Sequence, residues 1–121
     1  MRQNKFSLVF IFTLFIATLS AFDTADQLLP TKLKITVLDG LGNPTKGAVV
    51  TLYKNEDDYF NNENAVEKAK TDEKGLVVFK KLEPISYYID ARKGDMNNDG
   101  EGVKIAPLQE GRTNKVNTVI E

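Results

Sequence analysis

The chain of 121 residues contains no cysteine, no histidine and no tryptophan. Histidine and cysteine perform much of the acid–base and thiol chemistry of enzymes, so their absence removes the commonest catalytic machinery. Carboxylates such as Glu56 and Asp58 fit a solvated acidic loop better than a catalytic pair, because a small domain offers little cleft between two carboxylates. Without cysteine no disulfide can form, so a packed apolar core must supply the stability. These absences predict a protein that is not an enzyme.

An excess of basic residues is also lacking, since 16 lysines and arginines stand against 17 aspartates and glutamates. Nucleic-acid binding depends on clustered Lys and Arg that neutralise phosphates. The composition therefore predicts no nucleic-acid partner.

Residues 1–21 have the layout of a secretory signal peptide. Arg2 and Lys5 form a basic start, residues 6–19 are almost wholly apolar, and Ser20 and Ala21 provide a small-residue exit. The apolar run is shorter than the roughly 20 residues that span a bilayer, which favours a cleaved leader over an uncleaved anchor. We therefore expect an exported protein, in the periplasm, at the cell surface or outside the cell, with no membrane contact after cleavage.

The remaining chain alternates apolar and polar residues with a period of two. Residues 22–31 are predicted to be a linker and residues 32–121 a single domain. Leu33, Ile35 and Val37 share one face of the first predicted strand. Short strands separated by turn signals predict an all-β fold, a sandwich of about seven antiparallel strands in Greek-key order. The other predicted strands cover residues 48–53, 65–71, 76–80, 86–92, 103–105 and 113–121.

Two blocks of residues stand out in this pattern. In the first block an apolar alternation leads into a turn with Gly and Pro, and in the second an Asp-to-Gly turn precedes a strand with Phe. The first block comprises Leu33, Ile35, Val37, Asp39, Gly42, Pro44, Gly47, Ala48, Val50 and Leu52, and the second Thr71, Asp72, Gly75, Phe79 and Leu82. These blocks resemble the carboxypeptidase regulatory-like domains, which have a transthyretin-like β-sandwich fold. The resemblance implies a sandwich without catalytic residues, found as an accessory domain or as a small exported protein.

An acidic segment after the strand at 86–92 resembles the first half of an EF-hand calcium loop. Asp95, Asn97 and Asp99 occupy its alternate ligand positions, and Glu101 is a candidate fourth ligand. Calcium prefers such hard oxygen ligands. The twelfth position is Ala106, where an EF-hand has a bidentate glutamate, and the alternative is a plain turn rich in Asn, Asp and Gly. No cofactor other than this calcium ion is expected.

A polar segment at residues 55–64, predicted to hold a short helical turn, contains the aromatic pair Tyr59 and Phe60. Such a pair in a loop is typical either of a contact site or of packing that holds the loop down. Together these patterns predict an exported, non-catalytic binding or structural module, with an envelope protein or a glycan as its partner. The alternative is a structural domain stabilised by calcium.

Overall fold

The computed structural model describes residues 29–100 and 102–121. The predicted signal peptide, most of the predicted linker and Glu101 lie outside the described residues. No helix within the described residues is long and apolar enough to cross a membrane. In chain order the elements are β1 Lys32–Asp39, β2 Val49–Tyr53, α1 Glu56–Asn61, β3 Glu67–Lys70, β4 Leu76–Phe79, β5 Tyr88–Lys93, β6 Met96–Asn97 and β7 Thr113–Ile120.

The strands form two sheets, one of three strands in the order β4-β1-β7 and one of four in the order β3-β2-β5-β6. The predicted all-β sandwich is confirmed. Every pairing is antiparallel except that of β1 with β7, which is parallel from Lys32 opposite Thr113 to Asp39 opposite Ile120. Parallel neighbours need a long crossover connection, and here the rest of the domain provides it.

The core lies between the two sheets and follows the period of two. Leu33, Ile35 and Val37 of β1 are fully buried, and Phe79 of β4 lies beside them as a fully buried aromatic side chain. Alternation turns every second side chain of each strand toward the opposite sheet, so both sheets contribute to one cluster. The buried apolar cluster comprises Leu33, Ile35, Val37, Ala48, Val50, Leu52, Val77, Phe79, Leu82, Tyr87, Ile89, Ala91, Leu108 and Ile120.

Aspartate side chains build two of the turns. The Oδ1 atom of Asp39 accepts hydrogen bonds from the backbone N–H groups of Leu41 and Asn43, both at 2.9 Å. The Oδ1 atom of Asp72 accepts hydrogen bonds from the backbone N–H groups of Leu76 and Lys74, at 3.0 and 2.8 Å. These bonds, led by that from Leu76, hold the pKa of Asp72 below its ordinary value because they favour the carboxylate. The predicted turn role of Asp72 is confirmed.

Gly75 ends the turn that begins at Asp72, and its backbone lies directly against that of Val37 and Thr45. Its φ is +72°, and a Cβ atom there would lie 2.8 Å from the carbonyl oxygen of Val37 and 2.9 Å from the backbone nitrogen of Thr45. Both the left-handed conformation and the contact exclude a side chain. The turn between β3 and β4 is thereby pressed against the end of β1.

The sixth strand differs from the prediction. Residues 103–105 were expected to form it, but the strand that pairs with β5 as a hairpin is β6, within the predicted polar loop. Gly94, with a φ of +58°, and Asp95 form a two-residue turn that reverses the chain directly after β5. The segment 103–105 lies along β5 through single contacts, among them a bridge from Lys104 to Tyr88.

Candidate functional site

An open groove of about 670 Å³ lies on the face of the four-stranded sheet that points away from the core. Ile89 and Ala91 of β5 point into the core, so alternation turns the intervening side chains of that strand outward. Helix α1 packs against β2 and β5 and forms one wall. The lining residues are Glu56, Tyr59, Phe60, Asn62, Tyr88, Asp90, Arg92, Asp99, Gly100, Gly102, Val103 and Lys104. Because α1 packs beside this face of the sheet, the domain has a larger cleft than was expected of its size.

Helix α1 confirms the predicted helical turn, and polar side chains define both of its ends. Asn55 is the N-cap, and its Oδ1 accepts a 2.9 Å hydrogen bond from the backbone N–H of Asp58. Asn62 ends the helix in the left-handed conformation with a φ of 54°. The helix has six residues and none is buried. So short a helix is not stable alone, and its position depends on the contacts of Tyr59.

Tyr59 is the centre of an aromatic cluster between α1 and the sheet. Its ring centroid lies 6.0 Å from that of Tyr53 and 6.0 Å from that of Tyr88. The ring of Phe60 lies edge-on to it at 5.3 Å. Tyr59 is half-buried, whereas Phe60 remains 68% exposed at the rim of the groove. The predicted pair therefore divides, with Tyr59 packing the helix down and Phe60 open to a ligand.

A network of charges lies beside these rings. The Nε atom of Arg92 donates to both carboxylate oxygens of Asp90, at 3.0 and 3.2 Å. An Nη atom of Arg92 lies 3.7 Å from the Oδ1 of Asp99, which also accepts a 3.2 Å hydrogen bond from the hydroxyl of Tyr59. The Asp90 side chain is only 11% exposed. A carboxylate so deeply placed needs such a partner, because burying an unpaired charge is costly.

Two tyrosines respond to this environment. Burial raises the pKa of Tyr59 to about 12, with help from the hydrogen bond to Asp99 and the charges of Asp99 and Asp90, while Arg92 opposes the shift. Burial also raises the pKa of Tyr53, with a smaller contribution from Asp90. A phenolate would have to form next to carboxylates in a partly dry site, so both phenols stay protonated at neutral pH.

Lys104 forms the far wall of the groove. Its Nζ atom lies 5.8 Å from the ring centroid of Tyr88, which is within cation–π distance. Within residues 29–100 and 102–121 it belongs to no ion pair. The Tyr88 ring therefore has an aromatic neighbour, Tyr59, and a cationic neighbour, Lys104.

The candidate calcium ligands are spread over different elements. Asp95 lies in the β5–β6 turn and Asn97 in β6, where its Oδ1 accepts from the backbone N–H of Asp99. Asp99 belongs to the groove. In the part of the chain that the structure describes, no three carboxylate, histidine or cysteine side chains are close enough together to hold a metal ion. Calcium binding, with Glu101 included, stays a prediction.

Asn98 lies between the candidate ligands Asn97 and Asp99, and its side chain holds two strands together. It is 1% exposed. Its Oδ1 accepts a 2.9 Å hydrogen bond from the N–H of Ala91, and its Nδ2 donates to the carbonyl of Ile89 at 2.9 Å and to the hydroxyl of Thr118 at 3.0 Å. One amide thus joins β5 to β7, which belong to different sheets.

The groove residues that were not among the predicted site residues include Tyr88, Asp90, Arg92 and Lys104. Alternation did indicate that the first three share one face of β5. What the sequence did not indicate is that α1 lies above this face. The sequence did contain one signal for this site: the outward face of β5 carries an aromatic ring together with charges of both signs.

Comparison with known protein families also identifies a β-sandwich domain. The match covers residues 29–120 and is to the DR_A0283-like, Ig-like domain. The chain belongs to the DR_A0283-like Ig-like domain family. No curated protein matches the chain.

Solved structures with the same Ig-like fold include two from Bacillus. The Bacillus anthracis TIE protein is 24% identical with a TM-score of 0.52, and the match covers 76% of this chain and 17% of that protein. BcpA, the major pilin subunit of Bacillus cereus, is 17% identical with a TM-score of 0.54, and the match covers 77% and 30%. This Ig-like chain therefore spans less than a third of either protein. A match to hydroxyquinol 1,2-dioxygenase from Pseudomonas putida DLL-E4, 10% identical over 77% of this chain and 56% of that protein, has a TM-score of 0.49.

Proposed function

We propose that this Ig-like chain is a non-catalytic binding module that acts outside the cytoplasm and holds its ligand in the groove beside α1. The observation that carries the proposal is the convergence of aromatic rings and charged groups on one open groove. Phe60 is 68% exposed there and lies beside the Tyr59 ring, which in turn lies 6.0 Å from that of Tyr88. A concave site lined by aromatic side chains and a few polar groups is the usual form of a binding site.

A binding role suits the groove better than catalysis does. Its two aspartates, Asp90 and Asp99, both face Arg92. Both carboxylate oxygens of Asp90 are bonded to Arg92, and Asp99 is fixed through one oxygen by Arg92 and Tyr59. An acid–base pair needs two groups that are both free to reach the reacting atoms. The arrangement favours a rigid surface that recognises a ligand and releases it unchanged.

Action outside the cytoplasm rests on the signal-peptide pattern of residues 1–21. The fold agrees with it, since one structural neighbour is a pilin subunit. The resemblance to carboxypeptidase regulatory-like domains belongs to the same proposal, because that family includes small exported proteins without catalytic residues. The alternative, a domain stabilised by calcium through Asp95, Asn97, Asp99 and Glu101, rests on the motif alone.

Binding of the labelled full chain to envelopes isolated from the cells that produce it tests the proposal. Phe60→Ala should reduce the bound fraction several-fold, because it removes the exposed ring at the rim. Leu41→Ala is the matched control, since Leu41 is 88% exposed in the turn after β1 and does not line the groove. Absence of envelope binding, or equal losses for both variants, would contradict a groove-based binding function.

A further inference from the structure

The groove has three chemical features that together select a class of ligand: flat aromatic surfaces, hydrogen-bonding groups with capacity to spare, and nearly balanced charge. We infer that it binds a neutral oligosaccharide. The inference rests on the proposed binding function and assigns its ligand.

The aromatic surfaces are suited to sugar rings. Tyr88 is half-buried at the base of the groove, and Phe60 is exposed at its rim. The C–H groups on one face of a pyranose ring carry partial positive charge, which matches the negative face of an aromatic ring. Tyr88 and Phe60 thus offer two aromatic contacts within one groove.

Polar groups beside the rings retain hydrogen-bonding capacity. Asp99 uses Oδ1 for Tyr59 and Arg92, and its Oδ2 accepts no hydrogen bond within the described residues. The ammonium group of Lys104 donates none within that same part of the chain, although it carries three donors. A carboxylate acceptor and an ammonium donor across one groove match the alternating donors and acceptors of sugar hydroxyls.

The charge balance disfavours charged ligands. Glu56, Asp90 and Asp99 carry three negative charges among the described lining residues, and Arg92 and Lys104 carry two positive charges. An acidic saccharide would meet a small net negative charge, and a strongly basic ligand would find Asp90 already paired with Arg92. Neutral hydroxyl groups encounter no such opposition.

Strand β5, which lines the groove, has no free edge to which an extended peptide could add. A peptide that adds to a sheet needs a strand with a free edge. Strand β5 pairs with β2 on one side, while β6 and Lys104 occupy its other side. Ligand recognition in this groove therefore depends on side chains.

Envelope binding by the full chain can separate the ligand classes. Envelopes digested with a broad protease should retain the protein, whereas envelopes oxidised with periodate, which cleaves vicinal diols, should lose it. Loss after protease digestion alone would overturn the saccharide inference and leave the groove-based function standing. Absence of binding to untreated envelopes would instead contradict the function itself.

Defined saccharides test the inference directly, whatever the outcome with envelopes. Calorimetric titration of the full chain with cellohexaose, xylohexaose, maltohexaose and mannohexaose should give saturable binding to at least one of them. Trigalacturonic acid and a proline decapeptide should not bind. Phe60→Ala should weaken the saccharide binding about fivefold, as expected for the loss of one ring contact, and Leu41→Ala should leave it unchanged. Failure of all four neutral saccharides to bind, or equal affinity for the Phe60→Ala chain, would overturn the inference.

Discussion

The hydroxyl of Tyr59 donates a 3.2 Å hydrogen bond to the carboxylate of Asp99, which lies forty positions further along the chain. This bond connects helix α1 to the loop after β6, and both residues line the groove. The same carboxylate faces Arg92 of β5. Helix, loop and sheet thus meet at a single aspartate.

Tyr59→Phe tests this connection because it keeps the ring and removes the hydroxyl. We expect the free energy of unfolding to fall by about 1 kcal/mol, the usual net worth of one hydrogen bond. Urea denaturation measures the change. Tyr53→Phe is the control, since its hydroxyl makes no such link to the loop. Equal losses in the two variants would show that the bond to Asp99 contributes nothing specific.

The pKa of Tyr59 provides a second prediction. Its folded-state pKa, about 12, lies above the ordinary value of 10.0. The folded protein therefore favours the protonated phenol, so this contribution is complete below pH 10.0 and is lost as the pH rises toward 12. The difference in tyrosinate absorbance between wild type and Tyr59→Phe reports the titration. Asp99→Asn should lower the Tyr59 pKa, and an unchanged midpoint would contradict the assigned role of that carboxylate.

A pair of glycine substitutions separates backbone strain from collision. Gly42 and Gly75 both have positive φ, of 84° and 72°. Gly42→Ala should cost about 1–2 kcal/mol for the left-handed conformation alone, since a Cβ there meets nothing within 4 Å. Gly75→Ala should cost clearly more, because its Cβ collides with the backbone at Val37 and Thr45. Thermal or urea unfolding measures the two losses of stability. Equal losses for Gly42→Ala and Gly75→Ala would mean that the turn at Gly75 shifts to accommodate a Cβ atom without cost.

Asn98→Ala should be among the most damaging polar substitutions in the domain. It leaves the N–H of Ala91 and the carbonyl of Ile89 without their side-chain partner in a buried site, at a cost of at least about 2 kcal/mol. Asn97→Ala is the neighbouring control, because its side chain bonds one exposed N–H, that of Asp99. A smaller loss for Asn98 than for Asn97 would contradict the assignment.

The calcium hypothesis is tested by melting the full chain in calcium and in chelator. Binding at 100 times the dissociation constant would add about 2.7 kcal/mol to the stability of the folded state. The triple variant Asp95→Asn, Asp99→Asn, Glu101→Gln should abolish the difference while an Asp57→Asn control retains it. Identical melting curves of the wild type in both solutions would remove the hypothesis.

The sequence predicted the parts of this molecule that depend on local pattern. Alternation in β1 placed Leu33, Ile35 and Val37 in the core, and the Asp72 turn follows from the hydrogen-bonding capacity of aspartate. The parallel pairing of β1 with β7 was not predictable, because alternation shows which face is buried but not which strand lies alongside. The groove was missed for a related reason. It arises where α1 lies across β5, and that packing depends on Tyr59 meeting Tyr88, two residues far apart in the chain.

The parallel pairing of β1 with β7 has a mechanical consequence. Because the first and last strands run side by side in the same direction, the domain is entered near Lys32 and left near Ile120, at opposite ends of a ladder of eight pairs roughly 25 Å long. A force pulling these two points apart would slide one strand along the other, so all the hydrogen bonds between them would resist together and none could be opened first. Tension applied at these two points would therefore load β1 and β7 in shear, whereas the groove lies on the opposite sheet.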